Sequence, residues 1–108
     1  PDRAPSVEPT IDFTKDLQLD FEAPNYERYP CLRLAYEALR SGGAAPAIYN
    51  AANEVAVERF LNKEIAYLDI PKIIEHSLSK VELIETPNLD QLLETNNEAR
   101  LTAKALHV

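Results

Sequence analysis

The chain of 108 residues has room for one domain, and its 45% apolar and 27% charged content is that of an ordinary globular protein. Its formal net charge of −7, with Lys and Arg scattered singly, argues against a nucleic-acid surface or an anionic membrane as partner. No apolar run approaches the ~20 residues of a membrane span, no signal-peptide pattern opens the chain, and the single cysteine, Cys31, allows no internal disulfide, which suits a cytoplasmic location.

Two absences are more informative than these averages. There is no methionine, and the start Pro1-Asp2-Arg3-Ala4-Pro5 has the character of the interior of a longer polypeptide; the expectation is a domain cut from a larger protein. Glycine occurs only at the adjacent positions Gly42 and Gly43. Neither a G-x-G-x-x-G turn nor a P-loop can be written with them, so a nucleotide site of either kind is excluded within this chain.

Residues 1–29 hold four of the eight prolines and read as an extended linker. Ala4, Glu8 and Ala23 each precede a proline and are expected to be non-helical. Within the linker Leu17, Leu19 and Phe21 alternate with Gln18 and Asp20. That period of two predicts one short strand with an apolar face, and a lone strand needs a surface to lie on.

From residue 30 the pattern becomes helical and the remaining residues, 30–108, read as one domain. Pro30 suits a first turn, Cys31, Leu34, Ala35, Ala38 and Leu39 follow at helical spacing, and Gly42-Gly43 provides a C-terminal cap, so the first helix spans about 30–41. The second runs from about Ala44 to Leu61, with Pro46 in its first turn and an apolar stripe of Ile48, Ala51, Ala52, Val55, Ala56 and Phe60. After a connector, Asp69 is the predicted N-cap of a third helix whose face is Ile70, Ile73, Ile74, Ser77, Leu78 and Val81. Thr86-Pro87 is a break. Two capping boxes follow, Asn88 to Gln91 and Thr95 to Glu98, and predict a short helix and then a terminal one. The fold class is therefore all-α: a small bundle of four to five helices preceded by an extended linker with one short strand.

Chemistry-bearing residues are sparse. His76 reads as a helix-surface histidine, and His107 lies one residue from the end; neither belongs to an H-E-x-x-H or Cys/His cluster. Cys31 reads as a small core residue, the alternative being a thiol activated by the helix N-terminus. The feature hardest to dismiss is Asn50, Asn53 and Glu54, at i, i+3 and i+4 on an alanine-rich helix. They form either an exposed polar face or a stripe that fixes the docking register of a neighbouring domain; spacing alone leaves both open.

Two stretches carry a family resemblance: Leu19-Asp20-Phe21-Glu22-Ala23-Pro24-Asn25-Tyr26-Glu27-Arg28-Tyr29-Pro30-Cys31-Leu32-Arg33-Leu34-Ala35 and Asn50-Ala51-Ala52-Asn53-Glu54-Val55-Ala56-Val57. They resemble the 1-deoxy-D-xylulose 5-phosphate reductoisomerases of non-mevalonate isoprenoid biosynthesis. The Asp69-Ile70 helix start and Asn97-Glu98-Ala99-Arg100 are similar too, so the likeness runs through nearly the whole chain. That family has an NADPH-binding domain, a catalytic domain and a C-terminal helical domain, and this chain looks like the last of these with its preceding linker. The resemblance implies that the parent enzyme, expected to be a homodimer, converts 1-deoxy-D-xylulose 5-phosphate to 2-C-methyl-D-erythritol 4-phosphate with NADPH and Mg²⁺ or Mn²⁺. The family's nucleotide loop, metal ligands and phosphate-binding residues have no counterpart here. The chain is thus expected to be inactive alone, with no catalytic, cofactor or metal residue of its own, and to brace the catalytic domain. Leu17, Leu19 and Phe21, with Asn50, Asn53 and Glu54, are the candidate interdomain docking residues. The rival readings are a stand-alone acidic helical protein-interaction module and an autonomous enzyme using Cys31 or the Asn/Glu stripe.

Overall fold

The computed structural model describes residues 4, 5, 7 and 9–108; the expectation for Glu8 falls outside them. Four helices follow one another: α1 (Pro30–Ser41), α2 (Ala45–Leu61), α3 (Asp69–Lys80) and α4 (Leu89–Ala105). There is no strand among the described residues, which agrees with the all-α class but not with the short strand expected at Leu17–Phe21. Those three side chains are 54%, 71% and 89% exposed. Alternation marks the faces of a strand, but a strand exists only when a second one accepts its hydrogen bonds, and the bundle offers none. The Gln18 amide still reaches the Asp20 carboxylate at 2.9 Å, which puts this polar pair together on one side of the segment. Because the leading residues run off the bundle, the radius of gyration is 19.0 Å, against about 13 Å for a compact chain of this length.

α2 and α3 each pack on all three other helices, α2 the more extensively, which makes it the central element, whereas α1 and α4 do not touch among the described residues. Leu34 of α1, Ala52, Val55 and Ala56 of α2, Ile70, Ile73 and Ile74 of α3 and Ala103 of α4 form one buried cluster. Ile48, Ala51, Val81 and Ala99 form a second. The fully buried alanines Ala51, Ala52 and Ala56 face Ala99 and Ala103, so small side chains let α2 and α4 approach closely. Ser77 is buried among isoleucines because its hydroxyl donates to the Ile73 carbonyl one turn back, at 2.9 Å. Leu39, which falls at the helical spacing of the apolar residues of α1, is exposed.

The helix ends explain the connections. Gly42 caps α1 by donating its backbone N–H to the Ala38 carbonyl at 3.1 Å, and the Ala44 N–H then reaches the Ile84 carbonyl at 2.9 Å. The α1–α2 turn is thereby fastened to the α3–α4 connection. α2 closes differently. The Glu64 N–H donates to the Arg59 carbonyl and the Lys63 N–H to the Phe60 carbonyl, with Lys63 at a φ of 62°. This is a Schellman ending with lysine in the left-handed position where glycine is usual.

Asp69 is in the first turn of α3 and Leu68 precedes it as N-cap. The Asp69 carboxylate accepts from the Ala66 N–H at 2.9 Å, so it caps backward where a forward cap was expected. Asn88 does form a capping box with Gln91. The second expected box at Thr95 does not exist: α4 is continuous and Thr95 is buried within it. Thr95, Ala99 and Ala103 recur on the face that meets α2 and α3, and no glycine or proline interrupts residues 88–108. Burial of that face outweighs the local option to cap.

Arg59, on α2, ties down the end of α4: its Nη1 donates to the Ala103 and Leu106 carbonyls, both at 2.8 Å. These are the unpaired carbonyls of a helix C-terminus, where a cation is favourable. Replacing Arg59 with alanine is expected to lower the unfolding free energy by about 2 kcal/mol. Amide exchange in the last turn of α4 should accelerate with it, and unchanged exchange there would assign the loss elsewhere.

Candidate functional site: an interdomain docking surface

The six candidate docking residues fall in three places. Leu17, Leu19 and Phe21 stand exposed on the leading segment, away from the helices. On α2 the polar stripe is divided. Asn50 donates to Glu54 at 3.3 Å, and Glu54 forms a short ion pair with Arg100 of α4. Asn53 instead lines a cleft on the opposite flank of α2, toward α1 and α3.

Arg100 is the residue that spacing on α2 could not reveal, because the pair joins positions forty-six residues apart. The Arg100 hydrogen bond, and then its charge, hold the Glu54 carboxyl below its ordinary value, with Asn50 adding a smaller push in the same direction. A carboxyl lowered on folding stabilises at pH above its unfolded value of about 4.3 and loses that contribution as pH falls through the folded value. The melting temperature should therefore decline below about pH 5. Glu54→Gln should flatten part of that decline while leaving the neutral-pH helicity intact, as read by circular dichroism from pH 3 to 7. An unchanged slope in Glu54→Gln would mean that the pair is not formed in solution. Asp69 contributes in the same direction, lowered first by the Ala66 N–H and then by Lys72.

The cleft occupies about 260 Å³ between the start of α1, the middle of α2 and the start of α3. Arg28, Tyr29 and Pro30, where the leading segment enters the bundle, form one wall; Asn53 and Val57 form the floor; Tyr67, Leu68 and Pro71 close the other side. Asn25 shapes the approach, its side chain accepting from the Glu27 and Arg28 N–H groups, both at 3.1 Å. The Arg28 guanidinium lies 5.5 Å from the centre of the Tyr29 ring. Tyr29, Tyr67 and Leu68 are 53%, 66% and 68% exposed, an apolar patch of the kind that marks an interaction surface. Cys31 lies half-buried in the wall, and burial pushes its thiol up, the opposite of an activated nucleophile. Its carbonyl accepts from the Tyr49 hydroxyl at 3.0 Å.

The residues present do not fit a redox cofactor or a catalytic metal. Among the described residues no three His, Cys, Asp or Glu side chains converge. The two glycines are spent on a helix–helix turn, and the cleft falls just below the about 300 Å³ and upward of pockets that hold drug-sized ligands. His76 is half-buried on α3 and His107 exposed beyond α4. No described helix is long and apolar enough to cross a membrane.

Residues 1–102 match the family model described as the DXP reductoisomerase C-terminal domain. Among curated proteins, the 1-deoxy-D-xylulose 5-phosphate reductoisomerase of Zymomonas mobilis is 49% identical over 106 residues, covering 98% of this chain and 27% of that protein. That of Nitrosomonas eutropha is 50% identical over 104 residues, covering 96% and 25%. A solved structure of the Zymomonas mobilis enzyme in complex with NADPH superposes with a TM-score of 0.80 at 50% identity, over 95% of this chain and 27% of that one. The chain thus spans about a quarter of the length of the relatives it matches. Its four-helix bundle and its sequence agree on one assignment: the chain belongs to the DXP reductoisomerase C-terminal domain family.

Proposed function

We propose that this chain is the C-terminal bracing domain of a 1-deoxy-D-xylulose 5-phosphate reductoisomerase and has no turnover of its own. The observation that carries the proposal is the near-complete match, at about half identity, to one quarter of enzymes bearing that name. The parent would make 2-C-methyl-D-erythritol 4-phosphate in the cytoplasm, as a homodimer, with NADPH and Mg²⁺ or Mn²⁺ held by its other domains. Residues 1–29 act as the linker and 30–108 as the brace.

In this reading the brace does its work mechanically. A reaction that joins substrate, metal and nicotinamide needs parts that close against a fixed reference. Two clusters of buried residues shared between four helices supply that rigidity. Leu17, Leu19 and Phe21 pair with the catalytic domain, which supplies the surface that the bundle does not offer. Asn53 meets that domain from the cleft side, and Asn50 and Glu54 keep α2 and α4 in register behind it.

The test is made on the full-length parent. Its NADPH-dependent turnover of 1-deoxy-D-xylulose 5-phosphate should disappear when residues 30–108 are deleted, while residues 1–108 alone show none. Changing Leu17, Leu19 and Phe21 together to serine should lower turnover or melting temperature. A deletion variant with normal turnover and stability would overturn the bracing role, and turnover by the 108-residue chain would overturn the division of labour.

A further inference from the structure

The cleft beside Cys31 has the composition of a binding hot spot. Of its ten lining residues none is Lys, Glu or Asp, whereas two tyrosines and one arginine are present. Interfaces deplete the first group at their centres and enrich the second. Its volume of about 260 Å³ admits one or two inserted side chains and lies just below that of pockets for drug-sized ligands.

We propose that this cleft receives an apolar or aromatic side chain from the part of the parent chain that precedes residue 1, and that Arg28 meets a carboxylate or carbonyl beside it. The inference rests on the reading of the chain as the terminal domain of a longer enzyme. That reading supplies the occupant, since relatives are nearly four times as long and the matching family model is that of their C-terminal domain. The location supports it as well. The leading segment joins the bundle at Arg28 and Tyr29, on the cleft's own wall, so whatever precedes residue 1 is tethered to the opening through fewer than thirty residues, a reach that lets it fold back onto the cleft. The segment's own large side chains do not fill the cleft: Phe13, Leu17, Leu19 and Phe21 are all more than half exposed.

Cys31 is a built-in reporter, being half-buried in that wall. Alkylation by N-ethylmaleimide, quantified at Cys31 by peptide mass spectrometry, is compared between the full-length parent and the 108-residue chain. The expected result is labelling at least tenfold slower in the parent. Tyr67→Ala and Val57→Arg in the parent should each bring it to within a few-fold of the free chain, while Leu93→Arg, on the exposed face of α4, should not. Circular dichroism of each variant identifies one that fails to fold, and the mild Tyr67→Ala change keeps the comparison decisive if Val57→Arg does.

Equal rates in parent and free chain would overturn the proposal. So would protection lost on dilution, which assigns the cleft to a second copy, or protection already present in the free chain and relieved by Phe21→Ser, which assigns it to the leading segment. Turnover of the parent is measured in parallel. Protection without reductoisomerase activity would sink the enzymatic reading and leave the docking inference standing.

Discussion

Gly43→Ala is expected to cost about 3 kcal/mol or more, an unusually large effect for one added methyl. Gly43 has a φ of 55°, a left-handed backbone that disfavours any side chain. A Cβ there would also lie within about 2.8 Å of the Ile84 and Glu85 carbonyl oxygens, and backbone atoms cannot rotate aside as a side-chain tip can. The turn would have to lift off the α3–α4 connection and give up the Ala44 to Ile84 hydrogen bond. Gly42 provides the control. Its φ of 66° and ψ of −157° lie in a region almost reserved for glycine, but nothing lies within 4 Å of a Cβ placed on it, so Gly42→Ala should cost only the conformational penalty of about 1–3 kcal/mol, without the clash added at Gly43. Urea unfolding followed by circular dichroism separates the two. Equal midpoints would mean that the two connections do not pack together in solution.

Ile73→Ala is expected to lower stability by about 3–4 kcal/mol, and Ile73→Val by about 1 kcal/mol. Ile73 is fully buried in the cluster shared by all four helices, so the space left by truncation is enclosed on every side. Loss depends on how far the surroundings collapse into that space. Three members of this cluster, Ala52, Ala56 and Ala103, are too short to extend into a gap. Leu89→Ala, at the exposed start of α4, should stay within about 0.5 kcal/mol. Ile70 and Pro71, on the same helix, line the cleft, so Ile73→Ala should also speed maleimide labelling of Cys31 in the free chain. A midpoint shift no larger than that of Leu89→Ala would remove α3 from the core.

Helix ends were legible where their punctuation is local. Pro30 and Pro46 sit in first turns, Gly42 ends α1, and Asn88 with Gln91 starts α4, each through contacts made within a few residues. The errors share one cause. At Thr95 a valid local capping pattern lay inside a face that two other helices bury, and burial prevailed. At Leu17–Phe21 the alternation was visible, but its partner strand was not in the bundle. At Lys63 a left-handed residue carried no glycine or asparagine to announce it. The candidate docking residues followed the same rule. Asn50, Asn53 and Glu54 share a helical stripe, yet the structure sends Glu54 to Arg100 and Asn53 to a cleft. Neither destination is encoded within α2.

By itself the sequence determined the all-α class, three of the four helices to within a residue or two, the lack of a nucleotide loop, and the likeness to one enzyme family. These depend on periodicity, on the backbone limits of proline and glycine, and on residue order, all of which act over a few positions. Only the tertiary structure decided that α2 lies at the centre, that Arg59 holds the end of α4, that Arg100 neutralises Glu54, and that an apolar cleft opens beside Cys31. Each of these joins residues far apart in the chain. Their energies come from contacts that exist only once the helices have packed, and no local pattern carries that information.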